Sequence, residues 1–266
     1  MHPILFEIAG FPVYTYGVLL AAAYLLGLQF ALVRARSRGL DPNRVMDLGI
    51  WIIVSALVGA KLLLLIVEWD TYKNPAELWT LIRSAGVFYG GLITAVLVAF
   101  FYMWRHRMPI WSVSDTFAPG IALGHVIGRM GCFFAGCCFG RPTTVPWAVT
   151  FTSQYAAEKV GTPINQALHP TQLYEAGAEL LILGLLIAVE RRGRPFAGRT
   201  FWGYMLLYGI SRFIIEFYRG DTRGAIGMFS TSQFLSLLIV PLSILMLIVL
   251  ARRTSPAPVA TERRAA

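Results

Sequence analysis

Three groups of residues in this chain have types and spacings suited to chemistry. Tyr208, Arg212, Glu216 and Arg219 are spaced four, four and three apart. On a helix they form one stripe, roughly 16 Å long at about 1.5 Å per residue. Two arginines and a glutamate face hydrocarbon only at high cost. The stripe therefore either lines a polar cavity or locks helices together through an ion pair of Glu216 with Arg212 or Arg219. The second group lies in Gly124-His125-Val-Ile-Gly128-Arg129-Met-Gly131-Cys132. Gly124 and Gly128 form a GxxxG pair that permits close approach of a helix or a ligand. A lone Arg129 near a helix end can snorkel to the interface. Two guanidiniums within apolar helices, one of them glycine-rich, point instead to an anionic substrate, because guanidinium binds phosphate bidentately and keeps its charge.

The third group is His169-Pro-Thr-Gln172-Leu-Tyr174-Glu175. His169 is suited to acid, base or phosphate-ligand work. Alternatively, Pro170 starts a helix that Gln172 and Glu175 cap. Tyr16-Gly17 and Tyr89-Gly90-Gly91 are weaker signals, readable as an aromatic-belt residue and a packing notch. Cys132, Cys137 and Cys138 with His125 could ligate a metal, but their spacing is not a usual zinc pattern. A Cys132–Cys137 or vicinal disulfide is a second reading, and plain small buried hydrophobes a third, favoured one.

The elements that position these groups are membrane spans. Of 266 residues, 56% are hydrophobic and 14% charged, with mean hydropathy +0.62. Soluble domains carry about 25% charged residues, so a soluble enzyme and a disordered protein are excluded. Seven apolar stretches occur, at about 14–33, 46–67, 86–104, 111–135, 173–190, 200–218 and 228–250, and together they predict an all-α membrane protein of seven spans. The odd-numbered stretches run into basic clusters: Arg34, Arg36 and Arg38; Arg105 and Arg107; Arg191, Arg192 and Arg194; Arg252 and Arg253. The positive-inside bias then places the N-terminus outside and the C-terminus in the cytoplasm. The net charge of +9 is thus mostly topological, and a nucleic-acid partner is not expected. Residues 1–253 read as one membrane domain with a small external feature at about 139–172, including a short strand within Trp147–Phe151. Residues 68–85 read as an interfacial helix or loop, and 254–266 as a disordered cytoplasmic tail.

Gly128-Arg-x-Gly131 through Gly140-Arg141, Trp147-Ala-Val-Thr-Phe151, His169-Pro-Thr-Gln-Leu-Tyr-Glu175 and Tyr208-Gly-x-x-Arg212 occur in the order found in one family. The chain resembles the prolipoprotein diacylglyceryl transferases from about Tyr14 to Gln233, with Tyr16-Gly17 and Tyr89-Gly-Gly91 fitting the same order. The resemblance implies transfer of a diacylglyceryl group from phosphatidylglycerol to the lipobox cysteine thiol of a preprolipoprotein, releasing glycerol phosphate. Its partners would be phosphatidylglycerol, the signal peptide bearing that cysteine, and membrane lipids, in a bacterial inner membrane. No metal or other cofactor is implied. Arg129 and Arg212 become the cations for the headgroup and for charge developing on the phosphate, and Tyr16, Tyr208, Gly140, Glu216 and Cys132 become pocket residues. The family usually has His where Tyr89 stands, Asn where Cys132 stands, and often an acidic residue where Cys137 stands. His169, His125 or Tyr89 is then expected to deprotonate the acceptor thiol. A transporter or flippase for an anionic phospholipid, using the same arginines without chemistry, is the alternative.

Overall fold

The computed structural model describes residues 2–254 except 9, 75–76, 84–85, 194 and 222–223. The expected tail beyond Thr254 lies outside the described residues, as do Arg194, Arg223, Arg263 and Arg264. In chain order the elements are β1 (Ile4–Ile8), β2 (Phe11–Tyr14), α1 (Thr15–Ser37), α2 (Pro42–Val67), α3 (Trp69–Tyr72), α4 (Leu78–Arg83), α5 (Phe88–Arg105), α6 (Ile110–Ala135), β3 (Val149–Thr150), α7 (Gln154–Val160), β4 (Ala167–Leu168), α8 (Thr171–Arg191), α9 (Arg199–Ile215), a 3-10 turn (Glu216–Tyr218), β5 (Ala225–Ile226), β6 (Phe229–Ser230) and α10 (Thr231–Thr254). Among the described residues, α1, α2, α5, α6, α8 and α10 are six helices long and apolar enough to cross a membrane. The protein is a mostly helical, multi-pass membrane protein. The seventh expected span, α9, has only 17 residues and carries Arg212 in its last turn.

Residues 31–116 form one compact unit. Its long helix α2 starts cleanly because Pro42 occupies the first turn and the Asp41 side chain accepts from the Asn43 N–H at 2.9 Å. Glycine lets α2 and α5 approach closely. A Cβ at Gly91 would come 2.8 Å from the Ala56 carbonyl oxygen, and one at Gly59 2.6 Å from that of Gly90. Thr94 Oγ1 reinforces the crossing by donating to the Ser55 carbonyl at 2.9 Å. The Tyr89-Gly90-Gly91 element therefore contains the packing notch that its glycines had suggested.

Residues 1–30 and 117–266 form the other unit. There α1 and α6 cross at Gly27 and Gly120, where a Cβ at Gly27 would lie 2.8 Å from the Gly120 oxygen. Ala118 and Ala122 of α6 pack against Ile182, Leu183 and Leu186 of α8 and Tyr204 of α9. The stretch between α6 and α8 has its own small core of Phe139, Phe151 and Leu168, closed by pairing of β3 with β4, Val149 opposite Leu168. The strand foreseen within Trp147–Phe151 is thus the two residues Val149 and Thr150.

Two features depart from the sequence reading. An antiparallel hairpin, β1–β2, precedes α1. The stripe from Tyr208 to Arg219 is also not one helix. α9 stops at Ile215, Glu216–Tyr218 form a 3-10 turn, and Arg219 is extended with ψ 143°. The cause is a second partner for the backbone: Arg219 bridges Gly140, and its carbonyl accepts from Arg141 Nε at 3.0 Å.

Candidate active site

The C-terminal end of α6, the first turns of α8 and the end of α9 converge on one carboxylate, Glu175. Its Oε2 forms an ion pair with Arg129 Nε, while its Oε1 accepts from Arg212 Nη1 at 2.6 Å and from Arg219 Nη1 at 3.0 Å. Arg212 Nη2 also pairs with Glu216 at 2.6 Å and donates to Ser232 Oγ at 2.9 Å. Arg219 forms a fork on Asp221, with Nε and Nη2 donating at 2.9 and 2.8 Å. Three guanidiniums thus meet three carboxylates, so the cluster carries no net charge of its own. Buried charges persist only with such partners.

The three arginines are not equivalent. The side chains of Arg212 and Arg219 are 6% and 2% exposed, and that of Arg129 is 18% exposed. Arg212 engages both Nη atoms, and Arg219 all three guanidinium nitrogens. Arg129 meets Glu175 most closely at Nε, and among the described residues its two Nη groups make no hydrogen bond. Gly128 beside it borders open space, with nothing within 4 Å of where a Cβ would sit. An unused, rigid fork beside open space can take a phosphate bidentately. At Arg219, outside the helices, burial opposes the charge. The Asp221 hydrogen bonds, Cys138 and Glu175 outweigh it and hold the pKa above the ordinary arginine value.

One turn before Arg129, His125 belongs to a second polar group. Its Nδ1 lies 2.8 Å from Glu179 Oε1, and the Tyr204 hydroxyl lies 2.9 Å from the same nitrogen. Tyr204 also donates to Glu179 Oε1 at 3.5 Å. Glu179 is 3% exposed, and its Oε2 has no hydrogen-bond partner among the described residues. The His125 side chain is 40% exposed. A carboxylate that accepts the Nδ1 proton leaves Nε2 able to take one.

The other expected site residues are distributed as follows. Tyr208 stacks on Tyr204 and lies tilted against His125, at ring-centroid distances of 5.8 and 5.4 Å. Tyr16 lies against Gly131, where a Cβ would come 3.3 Å from its ring. Glu216 pairs with Arg212 as described. Gly140 is required by crowding, since a Cβ there would collide with the His169 carbonyl and come 2.8 Å from that of Tyr218. His169 sits in an aromatic group, with Nδ1 3.1 Å from the Tyr174 hydroxyl and its ring edge-on to Tyr218. Tyr174 in turn accepts from Trp147 Nε1 at 2.7 Å. Tyr89, in the other unit, is 38% exposed and edge-on to Phe88.

Cys132, Cys137 and Cys138 are joined by no disulfide, and their sulfur atoms all lie within 4.8 Å of one another. The start of α8 pins their loop. Gln172 Nε2 donates to the Cys137 carbonyl and Thr171 Oγ1 to that of Cys138, both at 2.7 Å. Gln172 thus belongs to the site as a brace for the loop rather than as a helix cap.

Sequence reasoning gave Glu175 only a capping role and passed over Glu179, Tyr204 and Asp221. The missed signal was available for two of them. Glu175 and Glu179 are four apart in an otherwise apolar span, and buried acids there are as costly as the arginines that were noticed.

Comparisons with known proteins place the chain in one family. The family model described as prolipoprotein diacylglyceryl transferase matches residues 3–249. A protein of Clostridium tetani named phosphatidylglycerol–prolipoprotein diacylglyceryl transferase is 34% identical, over 92% of this chain and 96% of its own length. Proteins of the same name from Finegoldia magna and Trichormus variabilis are 35% and 31% identical. They cover 90% and 96% of this chain, and each is itself covered over 92% of its length.

Proposed function

The chain belongs to the prolipoprotein diacylglyceryl transferase family, and from that premise we propose that it transfers the diacylglyceryl group of phosphatidylglycerol to the lipobox cysteine thiol of a prolipoprotein. The acceptor sulfur attacks the glycerol carbon that bears the phosphate. A carbon–sulfur bond forms, the carbon–oxygen bond to phosphate breaks, and glycerol phosphate leaves. The observation that supports this most is the open fork of Arg129 beside a charge-balanced cluster. The two Nη groups hold the phosphodiester, and they bind it more tightly as negative charge grows on the leaving oxygen. Arg212, held by Glu175, Glu216 and Ser232, adds positive potential from behind.

His125 is the base that takes the thiol proton. Glu179 accepts its Nδ1 proton and so presents Nε2, one helical turn from Arg129, while Tyr208 and Tyr16 line the same space. His169 acts as a positioning residue, holding Tyr174 and the Gly140 crossing.

The chain spans the bacterial inner membrane seven times, with α9 as the seventh span, the N-terminus outside and the C-terminus in the cytoplasm. Basic residues in the last turns of α1, α5, α8 and α10 support this. The cluster at the end of α6 and the start of α8 then faces the outer leaflet, where lipid enters between helices and the signal peptide docks.

Purified protein in phosphatidylglycerol vesicles, given a lipobox peptide, is expected to yield the diacylglyceryl thioether by mass spectrometry and one glycerol phosphate per thioether. Lipid movement between leaflets without thioether would overturn the transferase reading in favour of a lipid transporter.

A further inference from the structure

The proposed transfer needs one thiol, and the acceptor brings it. The three thiols beside the arginine cluster are therefore unexplained by that reaction. Their convergence depends on backbone geometry. α6 ends at Ala135, Gly136 reverses the chain at φ 82°, and Cys138 sits in the left-handed region at φ 63°. For a residue other than glycine that conformation is unfavourable and persists only where surroundings enforce it. The Thr171 and Gln172 hydrogen bonds to the carbonyls of Cys138 and Cys137 are those surroundings. The result is three sulfurs from residues five, then one, positions apart, all within 4.8 Å of one another and joined by no disulfide.

We propose that Cys132, Cys137 and Cys138 form a three-sulfur site for a soft, thiophilic metal ion, with monovalent copper as its best occupant. Three sulfurs at bonds of about 2.3 Å, the zinc–thiolate length, stand about 4 Å apart around a trigonal ion, which the observed spacing permits. A structural zinc site takes four protein ligands, and no further His, Cys, Asp or Glu joins the group among the described residues. Soft thiolates select monovalent copper. Charge favours the same choice. A copper ion on three thiolates carries two negative charges, and the guanidiniums of Arg129 and Arg219 both act electrostatically on Cys138. Occupancy would draw on the arginine that the phosphate needs, so bound copper inhibits transfer. Only that last arm rests on the proposed function, and metal occupancy stands apart from it.

The test uses the full chain in lipid nanodiscs, reduced and kept anaerobic, titrated with monovalent copper against a chromophoric copper chelator. One copper per chain is expected, with three sulfur neighbours by X-ray absorption. Cys132→Ser, Cys137→Ser and Cys138→Ser should each weaken binding by at least about a hundredfold, the upper end of what losing a mere supporting contact costs. Circular dichroism of each variant establishes that it is folded, and Cys138→Ala provides a second, apolar replacement if the serine variant is not. Wild type that takes no copper from the chelator, or folded variants that bind like wild type, would overturn the proposal. A count of one free thiol per chain rather than three, in protein isolated without reductant, would also overturn it, because a disulfide would then occupy the pair.

Discussion

Arginine is buried in two places, to different ends. In residues 31–116, Arg34 donates through Nε to the Thr116 carbonyl and through Nη2 to that of Asp115, both at 3.2 Å. Arg38 Nη1 lies 3.7 Å from the Asp115 carboxylate and 3.4 Å from the Ser112 carbonyl. There the acceptors are mostly backbone, and the guanidiniums tie the end of α1 to the first turns of α6. At the Glu175 cluster the acceptors are carboxylates on three elements, and Arg129 keeps two nitrogens free. Depth of burial does not separate the two groups, since Arg38 and Arg212 side chains are both 6% exposed. What separates them is whether a guanidinium keeps both Nη groups without a hydrogen bond beside open space, as Arg129 does.

The sharpest way to break this contrast is to remove the carboxylate on which three arginines converge. Glu175→Gln keeps the shape and deletes one negative charge, leaving a buried excess cation. Removing one partner of a buried pair costs about 3–5 kcal/mol, so the variant should show a large fall in thermal midpoint together with loss of transfer. A variant as stable as wild type would mean that Glu175 is not the hub that the distances indicate.

His125→Gln comes next and addresses the base. With a cysteine acceptor, transfer should fall by about 10²–10⁴, the range for loss of general base catalysis. A selenocysteine acceptor is already ionised near neutral pH and should recover most of that loss. Equal losses with both acceptors would remove His125 from the proton transfer and leave it a packing role. Arg129→Lys should cost about 10²–10³ in kcat/KM, about 2.7–4 kcal/mol, with either acceptor, because an ammonium keeps the charge but not the fork. A lysine variant with near-normal kcat/KM would show that charge alone suffices.

Much of this site was legible in the sequence because membrane burial makes polar residues conspicuous. Arg129, Arg212 and Glu216 stood out in apolar runs on that ground, and the expected ion pair of Arg212 with Glu216 is present. Glu175 did not stand out, because Pro170 offered a simpler reason for polar residues at a helix start. Its three arginine partners include Arg212 and Arg219, 37 and 44 positions away, and no local pattern encodes contacts at that separation. The break after Ile215 was equally invisible, since it is caused by the pairing of Arg219 with Gly140 across the insertion. The meeting of the three thiols depends on positive φ at Gly136 and Cys138, and a cysteine gives no sign of the latter. Spans, by contrast, follow from composition over twenty residues, and six of the seven expected apolar stretches are helices long enough to cross a membrane.

The smallest expected effect tests the other half of the comparison. Arg38→Ala removes a guanidinium that is as buried as Arg212 but faces Asp115 and a carbonyl rather than a cavity. If its role is to join helix ends, the cost appears in stability, at about 1–3 kcal/mol for leaving buried acceptors without their donor. kcat/KM at a temperature where the protein stays folded should change by no more than about twofold, equivalent to about 0.4 kcal/mol. Thermal midpoint and steady-state kinetics on one preparation separate the two quantities. A rate loss as large as that of Arg129→Lys, without a stability loss, would mean that this second arginine group also serves the reaction. Unused nitrogens would then no longer distinguish a working arginine from a structural one in this protein.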